Sequence, residues 1–229
     1  MEPHKHLPTS IEVFRPPLDQ GVDVYFKRAH EFAVQFYENE IHDIASVEFQ
    51  SVSLEKFFNE YIWVVHATGF SAKQVGKMIS RLIVAYGDPI NFARKPEQEA
   101  IEPILKICNN PQKAKAVRKT AEILSDGISK YGWERYRNHF LCDPSKLDDL
   151  PYIGKVTCYH LARNIGQLDF IKPDLHLVRM AKHWGFGDDP YIMCEAVQPE
   201  GMPLGIVDLI FWYAASTFGT LEIRGEGDR

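Results

Sequence analysis

The sequence predicts an all-α chain, and three features predict it. Apolar residues recur at helical spacing in about ten segments. Runs that alternate apolar and polar residues over the length of a strand are scarce. Helix-opening residues such as Ser53, Asp143 and Asp174 stand at the starts of these segments, and glycines such as Gly69 and Gly87 stand at their ends.

Taken in order, residues 1–21 hold Pro3, His4, His6, Pro8 and Pro16 without periodicity and read as an N-terminal arm. His4 and His6 there fit a flexible terminus better than a metal site. From 22 to about 45, Tyr25, Ala29, Phe32 and Phe36 mark an amphipathic helix, and 47–52 reads as a connector. Ser53 opens a helix carrying Phe57, Phe58, Tyr61, Val64 and Val65 that stops near Gly69. Ser71-Ala72-Lys73-Gln74 has the form of a capping box and opens a helix running to Gly87. Residues 88–96 read as a turn, followed by helices over 97–108 and, after Asn109-Asn110-Pro111, over 112 to about 130, with Gly127 weakening its end. A short helix over 133–140 follows.

Residues 147–186 hold two helices opened by two different devices. In the first, Leu150-Pro151-Tyr152-Ile153-Gly154 lies between a short polar helix, opened by Asp143 and Pro144, and a second with Cys158, Leu161, Ala162 and Ile165 on one face. This is a helix, a tight turn and a helix. Gly154 allows a backbone geometry that a side chain would forbid, so the amides of Gly154, Lys155 and Val156 are expected to point outward. Free amides at a helix start, with the Lys155 charge beside them, suit a phosphate. Amides grip phosphate without reading a base.

The second device lies where 174 − 154 = 20, at Asp174-Leu175-His176-Leu177-Val178-Arg179, after Lys172-Pro173. Leu177, Met180, Ala181 and Trp184 form its apolar stripe. Taken alone, Asp174 reads first as an N-cap. Further on, Asp188-Asp189-Pro190 opens a short helix through Val197. A strongly apolar helix over 206–215 then holds Phe211, Trp212 and Tyr213, for which core packing is the default.

These two motifs, at this separation, resemble the helix-hairpin-helix DNA glycosylases with a Gly/Pro-rich loop and aspartate. There, a hairpin L-P-G-[IV]-G-x-[KS]-T precedes a helix opening D-x-H-x-x-R. Here the hairpin reads Leu150-Pro151-Tyr152-Ile153-Gly154-Lys155-Val156-Thr157. The resemblance implies two helical lobes: a barrel over 53–171 bearing the hairpin at 144–166, and a discontinuous lobe of 22–52 plus 173–229. It implies that Asp174 is catalytic and faces the bound strand, and that Tyr152, Gly154, Lys155, Val156 and Thr157 bind phosphate. His176 and Arg179 would fix the catalytic helix. Lys172 stands where it would favour an ionised Asp174, which burial alone would oppose.

Two departures matter. The first hairpin glycine is Tyr152, which puts a ring where the family has none. Val156 stands where the lyase branch carries its amine nucleophile. The resemblance therefore implies a monofunctional glycosylase; Lys155 lies about 100° away around the helix. The family's wedge lies in the loop between the first two barrel helices, where Phe70 is the plug candidate and a corner staple is the competing reading. Trp63, Trp212 and Tyr213 are further candidates for the wedge or base pocket. A monovalent cation at the hairpin also follows from the resemblance. Alternatives are a non-catalytic DNA-binding module, or a lyase using Lys155 or Lys172.

Composition sets the bounds. A chain of 229 residues, 45% hydrophobic and 25% charged, buries roughly 70% of its unfolded surface. No apolar run approaches transmembrane length and no secretory signal is legible, so an intracellular monomer, in cytoplasm, nucleoid or nucleus, is expected. Its expected partner is double-stranded DNA with a damaged or modified base. Cys108, Cys142, Cys158 and Cys194 are scattered and read as reduced thiols. Only Cys194 follows Asp174, which argues against the iron–sulfur cluster of some family members, and no cofactor requirement is expected. No metal site is read; His139 with Cys142, and Cys158 with His160, have the wrong spacing for one. A formal charge of −5 argues mildly against nucleic acid. Lysines and arginines nevertheless gather from Lys113 to Lys182, as a positive face or as an evenly solvated surface. Walker, zincin, nucleophile-elbow and dinucleotide-binding motifs are absent.

Overall fold

Helices begin where the sequence supplies side-chain acceptors. In the computed structural model, which describes residues 9–70 and 72–219, Ser53 Oγ accepts from the Lys56 amide at 3.1 Å and Asp88 Oδ1 from Asn91 at 2.8 Å. Asn110 Oδ1 likewise accepts from Lys113 at 3.1 Å, and Asp189 Oδ1 from Tyr191 at 2.9 Å. Each cap contributes about 1 kcal/mol. The described residues contain helices and no strand.

A 3₁₀ turn, Thr9–Phe14, leads into α1, Val22–Ala45. After a second 3₁₀ turn, Phe49–Ser51, come α2, Leu54–Ala67, α3, Ala72–Gly76, and α4, Ile79–Tyr86. Then follow α5, Pro89–Arg94, α6, Glu97–Leu105, α7, Pro111–Tyr131, and α8, Trp133–Phe140. The hairpin consists of α9, Pro144–Leu147, and α10, Thr157–Asn164. The chain closes with α11, Leu175–His183, α12, Pro190–Val197, and α13, Leu204–Phe218.

Three local expectations change. The turn at 88–96 contains α5, because Asp88 caps it and Pro89 supplies a preset first helical residue. The single helix expected over 71–87 is two, α3 and α4; Ser71 of the capping box lies outside the described residues, as do His4, His6 and the charged tail from Arg224. Gly127, expected to weaken the end of α7, has a packing role there, and the helix runs through it to Tyr131. A Cβ there would lie 2.1 Å from the Tyr136 ring, so the glycine is what lets α8 pack on α7.

The chain divides into two units. One is Val47–Gln167; the other joins the segment ending at Ser46 to the segment beginning at Leu168. The boundaries fall before those expected at 52/53 and 171/173, because Val47, Phe49 and Val52 pack on the core of the first unit, and Leu168 and Ile171 on that of the second. The N-terminal segment is no free arm either, since Ile11, Phe14 and Leu18 pack on the second core. In the first unit, Phe57, Phe58 and Tyr61 of α2 are fully buried with Val117 and Leu124 of α7 and Leu161 of α10. In the second, α1 packs along α13. The α1 backbone leaves helical geometry at Tyr37, whose ring stacks on Tyr213 with centroids 4.0 Å apart.

Inside the first unit, the Lys113 ammonium closes the C-terminal end of α2, donating to the carbonyls of His66, 3.0 Å, and Thr68, 2.5 Å. Beside it, His66 is fully buried with Nε2 3.0 Å from the Tyr86 hydroxyl. Burial, and then the Lys113 charge, pull the His66 pKa down from 6.5 to about 4. Between those values the unfolded chain binds a proton here that the folded chain refuses, so stability rises with pH and is lost on acidification. The expected loss at this residue is about 2 kcal/mol between pH 7.5 and pH 5. Denaturant unfolding of wild type and His66→Gln at both pH values checks this; the variant should show the smaller difference.

Candidate active site

The hairpin and the Asp174 helix are each built within one unit, the hairpin in the first and the Asp174 helix in the second. The hairpin begins with Asp143, whose Oδ1 accepts from the amides of Ser145 and Lys146 at 3.0 and 3.3 Å and so caps α9. The amide of Leu150 then bonds to the carbonyl of Leu147 at 3.1 Å, and that of Ile153 to Leu150 at 3.0 Å, which turns the chain. The buried Tyr61 hydroxyl donates to the Pro151 carbonyl and ties the turn to α2. Burial pushes the Tyr61 pKa up, so the donor proton stays in place.

Tyr152 sits at φ +66°, in the left-handed region, and is the one non-glycine to do so among the described residues. Holding an L-side chain there costs about 1–2 kcal/mol. The turn therefore keeps the backbone conformation that a glycine would give it. Gly154, by contrast, has no positive φ, which corrects the expectation about its geometry. A Cβ at Gly154 would meet nothing closer than Thr157 Oγ1 at 3.9 Å. The protein's own packing does not require glycine there; what its absent side chain leaves open is the approach of an outside group to the backbone.

The three outward amides are two. The Gly154 amide donates to Thr157 Oγ1 at 2.7 Å, and that hydroxyl donates back to the Gly154 carbonyl at 3.2 Å. The amides of Lys155 and Val156 have no acceptor among the described residues. Both residues are exposed at the opening of α10, a suitable place for an anion. The carbonyls of Leu150 and Pro151 each accept one hydrogen bond and keep a second lone pair, so the turn is compatible with the monovalent cation implied by the resemblance.

Much of the other positive charge is spoken for. Lys115 pairs with Glu97, Arg118 and Lys119 with Glu122, and Lys182 with Asp188, while Arg137, Arg163 and Lys113 are buried. These pairs and buried groups leave fewer of the lysines and arginines as free surface charge than the sequence count implies. Lys155 stands out because it flanks the free amides. Were the turn to grip DNA as the resemblance implies, replacing Lys155 with alanine would weaken binding uniformly across sequences and lower the slope of log affinity against log salt by about 0.9, measured by titration at several salt concentrations.

Asp174 is both a cap and a candidate carboxylate. Its Oδ1 accepts from the amides of His176 and Leu177 at 3.0 and 3.2 Å, opening α11 as expected. Its Oδ2 lies 3.4 Å from the Lys172 ammonium, with 12% of the aspartate side chain exposed. Lys172 is fixed in turn, its amide donating to the buried Asp208 carboxylate at 2.9 Å. One oxygen thus holds the helix while the other is presented beside a cation. His176 and Arg179 follow on the same helix, both half-buried.

The aromatic candidates separate by burial. Tyr213 is fully buried and stacked on Tyr37, and Trp63 is 8% exposed within the first core. Neither offers a ring face, so both return to core packing. Trp212 is half-buried on the second core, edge-on to Tyr213 at 5.4 Å. Phe70 is exposed after Gly69, in the loop where the plug was expected, with the Lys113 ammonium 4.3 Å from its ring centroid. Lys113 is not part of the surface charge. The signal that marks it as buried is its place in line with Val117, Ala121 and Leu124, the apolar stripe of α7.

Among the described residues, no three His, Cys, Asp or Glu side chains gather as a metal site, and all four cysteines are free. No described helix is long and apolar enough to cross a membrane.

No protein-family model and no curated protein sequence matches the chain. Solved structures do. The 8-oxoguanine glycosylase/lyase of Methanocaldococcus jannaschii, in complex with a 15mer DNA containing 8-oxoguanine, aligns at TM-score 0.55 and 20% identity, over 83% of this chain and 96% of that one. The 8-oxoguanine DNA glycosylase of Thermotoga maritima aligns at TM-score 0.57 and 18% identity, over 86% and 96%. The chain therefore has the helical fold of these glycosylases, and the resemblance read from its two motifs is met at the level of fold.

Proposed function

We propose that this protein is a monofunctional DNA glycosylase, hydrolysing the N-glycosidic bond of a damaged or modified base flipped out of the duplex. The observation that carries the reading is the state of Asp174: one oxygen locked by the α11 amides, the other beside Lys172, in a chain with the glycosylase fold. The bond is out of reach in a stacked duplex, so the nucleotide is extruded at a cost of a few kcal/mol, least for a base already poorly paired. The hairpin would hold the strand through the Lys155 and Val156 amides without reading sequence. As the bond stretches, positive charge grows on the sugar. The Asp174 carboxylate stabilises that charge, and orients or deprotonates the attacking water.

The Methanocaldococcus neighbour is a glycosylase/lyase, but Val156 stands here where the lyase branch of the resembling family has its amine. A lyase reading would fall on Lys172, the amine beside Asp174. The products decide. A monofunctional enzyme leaves an intact strand that breaks only on alkali treatment, and borohydride traps no protein on DNA. A trapped adduct lost in Lys172→Ala would assign a lyase instead. The base itself is open to a panel in which 8-oxoguanine comes first, with alkylated purines, mismatched adenine and virally modified bases after it.

A further inference from the structure

The hairpin carries an aromatic ring that stands partly in solvent. Tyr152 holds the left-handed conformation at φ +66°, which glycine would adopt without strain, and yet 38% of the residue is exposed. Its ring neither fills the core nor stacks on another ring among the described residues. Its described contact is a loose one, 5.8 Å from the centroid to the Lys113 ammonium. A strained residue that holds an aromatic ring partly in solvent is where function is to be sought.

The same ammonium lies 4.3 Å from the centroid of Phe70, which is 37% exposed. Lys113 is itself buried and fixed by the carbonyls of His66 and Thr68, so its charge is held closer to Phe70 than to Tyr152. Two exposed aromatic faces therefore share one buried cation within the first unit. Two residues after Tyr152 comes Gly154, with no side chain in the way, and then the free amides of Lys155 and Val156. A group that sets its phosphate on those amides brings its base within reach of a ring three or four residues away.

We infer that Tyr152 is a stacking residue for an unstacked nucleobase beside the phosphate held by the hairpin, with Phe70 the second ring of the same surface. The inference rests on the reading of the hairpin as a DNA-binding element. It gives this hairpin a contact to bases in addition to its contact to phosphate. Stacking of this kind tolerates any base, because every base has a π-face. The Lys113 charge behind the rings attracts their electron-rich faces and holds them in place.

The test uses the full chain, with duplexes that are fully paired or carry one abasic-site analogue, and 2-aminopurine as the fluorescent base. The reporter stands opposite the abasic site in one arm and as a single extruded nucleotide in the other, which tells which base is taken. Tyr152→Gly relieves the backbone strain, and denaturant unfolding checks that it is folded; Tyr152→Phe keeps the ring. On the expected result, Tyr152→Gly lowers affinity for the interrupted duplex on the order of ten-fold and loses the quenching of 2-aminopurine, Tyr152→Phe keeps both, and Phe70→Ala loses part. Paired duplex shows a smaller change. If Tyr152→Gly binds interrupted DNA as tightly as wild type and quenches as strongly, the stacking role is wrong while the hairpin reading stands. If folded wild type binds neither duplex at low salt, both fall together.

Discussion

Asp174→Asn is expected to lower the rate of base release roughly 100- to 10,000-fold while leaving the protein folded and able to bind DNA. The substitution suits the question because asparagine is as good an N-cap as aspartate. Its amide oxygen can accept from His176 and Leu177 as Asp174 Oδ1 does, so α11 should start where it starts now. What goes is the negative charge on Oδ2 and the ion pair with Lys172. Loss of that largely buried pair is expected to cost a few kcal/mol of stability, so the rates are compared under conditions where both proteins are fully folded. Activity and stability thus separate, and single-turnover kinetics beside denaturant unfolding would show it. A variant that lost activity only in proportion to lost folding would return Asp174 to the role of a cap.

Gly166→Ala is expected to destabilise the first unit by about 3 kcal/mol or more. Gly166 follows α10 at φ +87°, and a Cβ there would lie 2.3 Å from the Val47 carbonyl oxygen and 2.8 Å from the Phe49 amide. These are backbone atoms, which cannot swing aside as a side chain can. The substitution therefore combines left-handed strain with overpacking where the chain enters and leaves the unit. Thermal or denaturant unfolding measures it, and Gly185→Ala is a useful comparison. Gly185 has φ +82° and open space around its Cβ position, so strain alone should cost it about 1–2 kcal/mol.

Much of this architecture was legible because helix caps are local chemistry. Ser53, Asp143, Asp174 and Asp189 announce their helices by short polar side chains next to apolar periodicity, and each makes the expected bond. The α5 helix escaped notice because six residues between Asp88 and Lys95 carry too little periodicity to outweigh the turn-like Asp-Pro and Lys-Pro around them. The break between α3 and α4 has no proline, and its only nearby glycine closes α3. Burial was the least legible property. Trp63, Tyr213 and Trp212 look alike in sequence, and only tertiary packing puts two of them in cores. The role of Tyr152 was half legible. The motif marked its position as one where glycine is usual, but not that the tyrosine would accept the left-handed backbone and turn its ring outward beside Lys113.

Base release from a panel of duplexes, each with one altered base, tests the central claim most directly when wild type and Asp174→Asn are compared at equal, saturating occupancy of DNA. The account predicts that wild type frees one class of base and leaves an intact abasic strand, and that the variant binds the same duplex with its release all but abolished. A wild type that binds DNA in a salt-dependent way, frees no base from any duplex and is indistinguishable from the variant would contradict it, leaving a DNA-binding module with Asp174 as its helix cap.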